Sequence, residues 1–138
     1  MSPCCGNEGV RILHAEAVAR HLLVEIVRSR LLNDAQRVED FFRDLAATYG
    51  KEILALHVYQ FEPYGLSGLL VMPESHVAIH TWPEYGYAAL DVFLGASCDP
   101  KASVPLIERY FVPQDVRVVE LERGVGKRNG TLVRPELH

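Results

Sequence analysis

The chain has no basic run of five residues and no CxxC pair. No apolar stretch approaches the ~20 residues that span a bilayer. The first absence argues against a nucleic-acid surface, the last against a membrane partner. The N-terminus lacks a charged region followed by an apolar one, so it does not read as a secretion signal. Cysteine is scarce: Cys4 and Cys5 are adjacent and Cys98 is distant. That spacing makes no disulfide framework and predicts a reducing, cytoplasmic setting. GxSxG is missing, and "RGVGKRNG" lacks the following helix of a phosphate-binding loop. The net charge is -4, and the expected partners are small molecules or protein.

What remains is ordinary globular material, 138 residues and half of them apolar. That length fits one domain, 1–138, able to bury about two-thirds of its unfolded surface. Residues 22–27, "LLVEIV", read as a strand. "NDAQRVEDFFRDLAATYG" reads as a helix with Asn33 as cap, Gln36 completing a capping box and Gly50 as stop. Strands follow at 52–61, 66–72, 76–82 and 87–94, joined by short turns, with Gly68 marking a bulge or a close approach. A second helix starts near Asp99–Pro100 or, delayed by Pro105, at Ser103, and 115–122 is a final strand. Residues 1–10 and 125–138 read as mobile ends. The order β-α-β-β-β-β-α-β, with two helices for six strands, predicts an α+β fold. It is a two-layer sandwich, a mostly antiparallel sheet with helices on one face.

Residues 73–93, "PESHVAIHTWPEYGYAALDVF", concentrate the polar and aromatic chemistry. His76 and His80 have the i, i+4 spacing of a helical zinc site. On a strand they stand about 13 Å apart at ~3.3 Å per residue, too far to share an ion, so no metal is expected. Ser67, Ser75 and Ser97 with Asp91 and the histidines could supply a hydrolytic triad, but nothing in their spacing selects one. A hairpin whose rings merely pack is the competing reading. Against it stand Glu25 and Asp91, carboxylates inside apolar strands, which read as buried and in want of a partner or a task.

The stretch resembles the processing site of bacterial and archaeal S-adenosylmethionine decarboxylases. The similarity runs from Arg20 to Gly124 and includes "RHLLVEI", "FEPYGLSG" and "VVELERG" in order. The resemblance implies a pyruvoyl-dependent decarboxylase of polyamine biosynthesis. Such a protein is made as an inactive precursor and cuts itself between Glu74 and Ser75, into 1–74 and 75–138. Ser75 would become the covalent pyruvoyl cofactor, the electron sink of the reaction. By residue-to-residue match, His80 is the base for the elimination step, Ser67 assists processing, Glu84 binds ribose hydroxyls and Phe61 stacks on adenine. The implied partners are a cationic small-molecule substrate and a second processed protomer in a homodimer.

One position departs from the pattern. The family carries a proton-donating cysteine where this chain has Gly95 in "LGA". Cys98 is the candidate substitute donor. The departure leaves arginine or ornithine open as alternative substrates beside S-adenosylmethionine, as well as a non-catalytic role as partner of an active relative.

Overall fold

The computed structural model describes residues 17–124. Its elements are β1 (Ala19–Val27), α1 (Ala35–Thr48), β2 (Ala55–Gln60), β3 (Leu66–Met72), β4 (Ser75–Trp82), β5 (Tyr87–Gly95), α2 (Val104–Phe111) and β6 (Asp115–Arg123). Single 3₁₀ turns occupy Pro83–Tyr85 and Pro100–Ser103. The six strands form one sheet in the order β2-β3-β4-β5-β1-β6, and every pair is antiparallel. The expected α+β two-layer sandwich is the observed one. The ends read as mobile, 1–10 and 125–138, lie outside the described residues.

The two periods of the chain make the layers. In β1, Leu22, Val24 and Ile26 point to the helices; in β4 it is Val77 and Ile79, in β5 Ala88, Leu90, Val92 and Leu94. From α1 the stripe Val38, Phe41, Phe42, Leu45 and Ala46 packs down onto them, and α2 adds Leu106, Ile107 and Phe111. Phe41 meets Phe42, Tyr110 and Phe111 at centroid distances of 5.1–5.9 Å, within the range where edge-to-face aromatic pairs attract. Among the described residues, no helix lies on the opposite face of the sheet.

The cap of α1 differs from the expected one. Asp34, not Asn33, is the N-cap, and its carboxylate accepts from Arg37 N at 3.2 Å. Asn33 Oδ1 instead accepts from Gly65 N (2.9 Å) and from Gln60 Nε2 (2.8 Å). It is spent tying the helix entrance to the β2–β3 turn, a long-range use that local spacing does not show. The delayed start of the second helix is as expected: Ser103 is its N-cap and Pro105 lies in its first turn.

Gly68 is a close approach. A Cβ there would stand 3.0 Å from Phe42 Cε2 and 3.1 Å from Ile79 Cγ2, both on side chains locked in the core. Gly68→Ala should therefore destabilise the fold by about 1–3 kcal/mol, the usual range for overpacking. A lower urea midpoint with unchanged slope is the expected result.

Candidate active site

β3 and β4 are joined by a two-residue turn, Pro73–Glu74, with Met72 paired to Ser75. Glu74 has φ +56°, a left-handed conformation that costs a non-glycine residue free energy. The peptide bond that follows it is therefore anchored at a strained corner. Ser75 is buried, and its Oγ accepts from Gly95 N at 3.4 Å. Among the described residues, a Cβ on Gly95 would meet a single neighbour within 4 Å, Glu74 Oε2 at 3.4 Å.

The segment after Gly95 is held from several sides. Cys98 N donates to Gly95 O (3.0 Å) and Ala96 N to Val18 O (3.2 Å). Tyr49 Oη donates to Asp99 O at 2.8 Å; burial, foremost, pushes that phenol's pKa well above its ordinary value. Arg20 lies on the core-facing side of β1, nearly buried. It reaches Glu120 through Nε (2.8 Å) and Nη2 (2.6 Å), and Asp99 through Nη2 (3.4 Å). These bonds join β1, β6 and the 95–99 loop, and so place the Gly95 amide over Ser75.

The helix-free face carries the remaining polar groups in rows fixed by strand register. One row runs Tyr59, Ser67, His80, Ala89, Glu25, Arg117; the next runs His57, Leu69, Ala78, Asp91, Leu23, Val119. Ser67 Oγ and His80 Nδ1 are 2.7 Å apart, the one predicted catalytic pair that the fold brings into contact. Trp82 lies 6.4 Å from His80 and 5.6 Å from Tyr87, centroid to centroid. Tyr87 donates to Glu25 at 2.6 Å, and that hydrogen bond is the first cause of its phenol pKa being pushed up to about 12. Glu84 sits exposed in the 3₁₀ turn after β4. Phe61 lies just past β2, its ring 4.8 Å from that of Tyr59. Ser67, His80, Glu84 and Phe61 thus gather at one end of the sheet.

Ser75 is at the other end. It faces the core, as do Val77 and Ile79, whereas His80 faces outward. Five residues of strand separate them by about 16 Å. Within one chain, therefore, the fold does not bring His80 or Ser67 to Ser75.

Two readings are corrected by this geometry: Glu25 and Asp91 are not buried carboxylates. They fall on the outward parity of β1 and β5, and the Asp91 side chain is 48% exposed. Cys98, the candidate substitute donor, is buried in the core cluster.

Residues 20–124 match the family model for S-adenosylmethionine decarboxylase. The chain belongs to that family. It is 39% identical over 112 residues to the S-adenosylmethionine decarboxylase proenzyme of Thermomicrobium roseum, covering 80% of this chain and 97% of that one. With the proenzyme of Syntrophomonas wolfei it shares 42% over 113 residues, covering 80% and 90%. With that of Pyrococcus horikoshii it shares 34% over 119 residues, covering 84% and 86%. The crystal structure of adenosylmethionine decarboxylase from Aquifex aeolicus has the same fold, with a TM-score of 0.72 at 21% identity, over 89% of this chain and 98% of that one.

One cluster on the open face was given no role by the family resemblance, although its residues lie in the segments that carry it. Phe93 stacks on His76 (5.0 Å, 8° between planes) and takes His21 edge-on at 5.4 Å. Arg123 lies 5.7 Å over the same ring and 3.1 Å from His21 Nδ1. His21 Nε2 is buried without a hydrogen-bond partner among the described residues, with Asp91 3.9 Å away. The His21 pKa is lowered, chiefly by burial; Arg123 and His76 lower it further and Asp91 opposes them. A histidine depressed on folding binds fewer protons in the folded state than in the unfolded one. Its contribution to stability is present above pH 6.5 and is lost as pH falls from there towards the folded pKa. His21→Gln should flatten the fall in Tm between pH 7 and pH 5 relative to wild type.

Proposed function

We propose that the protein is a self-processing S-adenosylmethionine decarboxylase whose cofactor derives from Ser75. The observation that carries this is the corner at Glu74–Ser75: a left-handed glutamate, a buried hydroxyl and an amide donor aimed at it, at the bond the family motif marks. The proenzyme relatives named above are 34–42% identical to this chain over 112–119 residues, which favours S-adenosylmethionine over arginine or ornithine as substrate. Ser75, His80, Glu84 and the Ser67–His80 contact are all retained, which weighs against a purely non-catalytic partner.

In processing, Ser75 Oγ attacks the Glu74 carbonyl and the chain is converted from amide to ester. Removal of the Ser75 α-proton then expels the Glu74 carboxylate. The resulting unsaturated residue is hydrolysed with release of ammonia, leaving a pyruvoyl N-terminus on 75–138. Ser75 fits this origin, since its hydroxyl is held next to the strained carbonyl and shielded from solvent. When formed, the group supplies an electron sink for loss of CO2, and no metal is required of the site.

The base for proton removal is His80, with Ser67 bonded to its Nδ1. Since His80 stands about 16 Å from Ser75 on the other face of its own strand, it acts on a second copy. The open face suits that pairing. Leu69, Val119, Leu121, Tyr59 and Trp82 are each at least 40% exposed on it, and exposed apolar side chains gathered on one face are what an interaction surface carries. Two such faces packed in opposite senses bring the Ser75 end of one chain to the Ser67–His80–Glu84–Phe61 end of the other. Glu84 is then placed to take ribose hydroxyls and Phe61 to stack on adenine in a site shared by two chains.

Purified protein should show two fragments on a denaturing gel, with a pyruvoyl terminus on the smaller by mass spectrometry, and should release CO2 from S-adenosylmethionine but not from arginine or ornithine. Ser75→Ala should stay whole. Wild type that remains uncut after long incubation would sink the reading.

The shared site has its own test. Ser75→Ala and His80→Ala should each be unprocessed alone. Co-expressed, they should form mixed dimers in which the His80→Ala chain is cut, because an intact His80 of its partner lies at the Glu74–Ser75 end of its sheet. If no cleavage appears in demonstrated mixed dimers, the site lies within one chain.

A further inference from the structure

We infer that the cleft between the end of β1 and the turn that carries Glu84 is a second binding site, for a small phosphate ester with a planar ring, and that filling it tightens substrate binding. The coupling rests on the role given to Glu84 above; the binding does not. The cleft measures about 480 Å³, inside the span of about 300–1,000 Å³ usual for small-molecule sites. Arg28, Ser29 and Arg30 line one side, Tyr85 and Gly86 the other, and Gln114 joins them from just before β6. His80, Glu84 and Phe61 do not line it, so it is not the site already described.

Charge selects the class of ligand. Among the described residues, no carboxylate lies within 4 Å of Arg28 or Arg30, whereas Arg20, Arg37 and Arg117 each have one. Two carboxylates on the strands that end at the cleft are engaged elsewhere, Asp115 with Arg117 (2.9 Å) and Glu25 with Tyr87 (2.6 Å). In a chain of net charge -4, two unmatched guanidinium groups on one cleft reverse the sign locally. Gln114 Oε1 accepts from Arg28 Nη1 at 3.4 Å, which holds one of them at the cleft wall. Forked guanidinium donors fit phosphate oxygens, and two of them match the two charges of a phosphate monoester. Tyr85 is 75% exposed, more than any other large apolar side chain described. It offers an open ring on which a planar group can stack, and the cleft is far larger than a lone phosphate needs.

The two walls of the cleft are locked together. Ser29 N donates to Gly86 O at 3.0 Å, and a Cβ on Gly86 would stand 3.3 Å from both Arg28 Cα and Ser29 O. Gly86, at φ +61°, closes the 3₁₀ turn Pro83–Tyr85 in which Glu84 sits. A ligand that bridges the arginines and Tyr85 therefore braces the Glu84 turn, and a turn already braced loses less freedom when substrate binds. The gain falls on KM and not on kcat, because no lining residue belongs to the groups assigned to the chemistry.

Titration of the full chain with phenyl phosphate, which has neither ribose nor adenine, tests this. Calorimetry and the fluorescence of Trp82, the single tryptophan and next to the turn, are the readouts. Phenyl phosphate should bind saturably, inorganic phosphate more weakly and phenol not at all. Arg28→Gln combined with Arg30→Gln should weaken phenyl phosphate about tenfold or more, the loss expected with a charge-assisted hydrogen bond. Its Tm should be unchanged, since both side chains are exposed; if it fails to fold, Tyr85→Ala decides, and that variant should bind phenyl phosphate no better than inorganic phosphate. Saturating phenyl phosphate should lower the KM for S-adenosylmethionine about fivefold, the low end of ordinary coupling, at constant kcat, and should not do so in the double variant. Absence of saturable binding, full binding by the double variant, or inorganic phosphate bound as tightly as phenyl phosphate would overturn the site. Binding with an unmoved KM would overturn its coupling to Glu84. The titrations need no turnover, so a protein that releases no CO2 would defeat the decarboxylase reading and leave the binding result standing.

Discussion

The alternation of side chains along a strand governs everything else in this protein. One residue of β4 faces the helices and the next faces away. Ser75 takes the inward parity, so its hydroxyl is shielded and meets the Gly95 amide. His80 takes the outward parity, so it meets Ser67 on a face that no helix of the described residues covers. A slip of one residue would exchange the two sets and place Val77 and Ile79 in water. The pairing Met72–Ser75, closed by a two-residue turn, prevents that slip. The corner that strains Glu74 and the register that separates the two halves of the chemistry are therefore one feature.

A corner of this kind is only useful if its surroundings are rigid. Arg20 supplies much of that rigidity. Its guanidinium is nearly buried and has two carboxylates, Glu120 and Asp99, within 3.4 Å. Removing one partner of such a group is costlier than the pair's net contribution suggests, because a buried charge is left unmatched. The network spans β1, β6 and the loop after β5, three segments far apart in sequence. It makes the position of the Gly95 amide a property of the whole sheet and not of the local loop.

The fold was largely legible in the sequence, because its signals are local and periodic. The stripe of α1, the turn residues between β2 and β5 and the alternation in β6 each declare their element. The site was legible only in part. The long motif named Ser75, His80, Ser67, Glu84 and Phe61, but composition gave no hint that they fall into two groups at opposite ends of a sheet. Parity counting in "SHVAIH" would have shown that Ser75 and His80 face apart. The same count would have placed Glu25 and Asp91 outward, although apolar neighbours made them look buried. Arg20 sits on the core parity two residues before Leu22, a readable oddity whose partners, at 99 and 120, are too distant for any local pattern. Asn33 was misread for the same reason: its partners lie some thirty residues away.

On the proposed reading, this division of the site couples three events that are often separate. A lone protomer has the strained bond and the hydroxyl that attacks it, and so can reach the ester. It lacks the histidine that drives the ester forward, since that side chain is about 16 Å away. An N-to-O shift without elimination is reversible, because the free amine stays beside the ester carbonyl, so the isolated chain holds amide and ester in equilibrium. Only when a second open face covers the first does a histidine arrive and make the cleavage irreversible. Burial of the apolar rows, which drives association, then also decides when the reactive group is made. The group appears in a covered cleft, not in solvent, which is where a carbonyl electrophile is protected from adventitious amines.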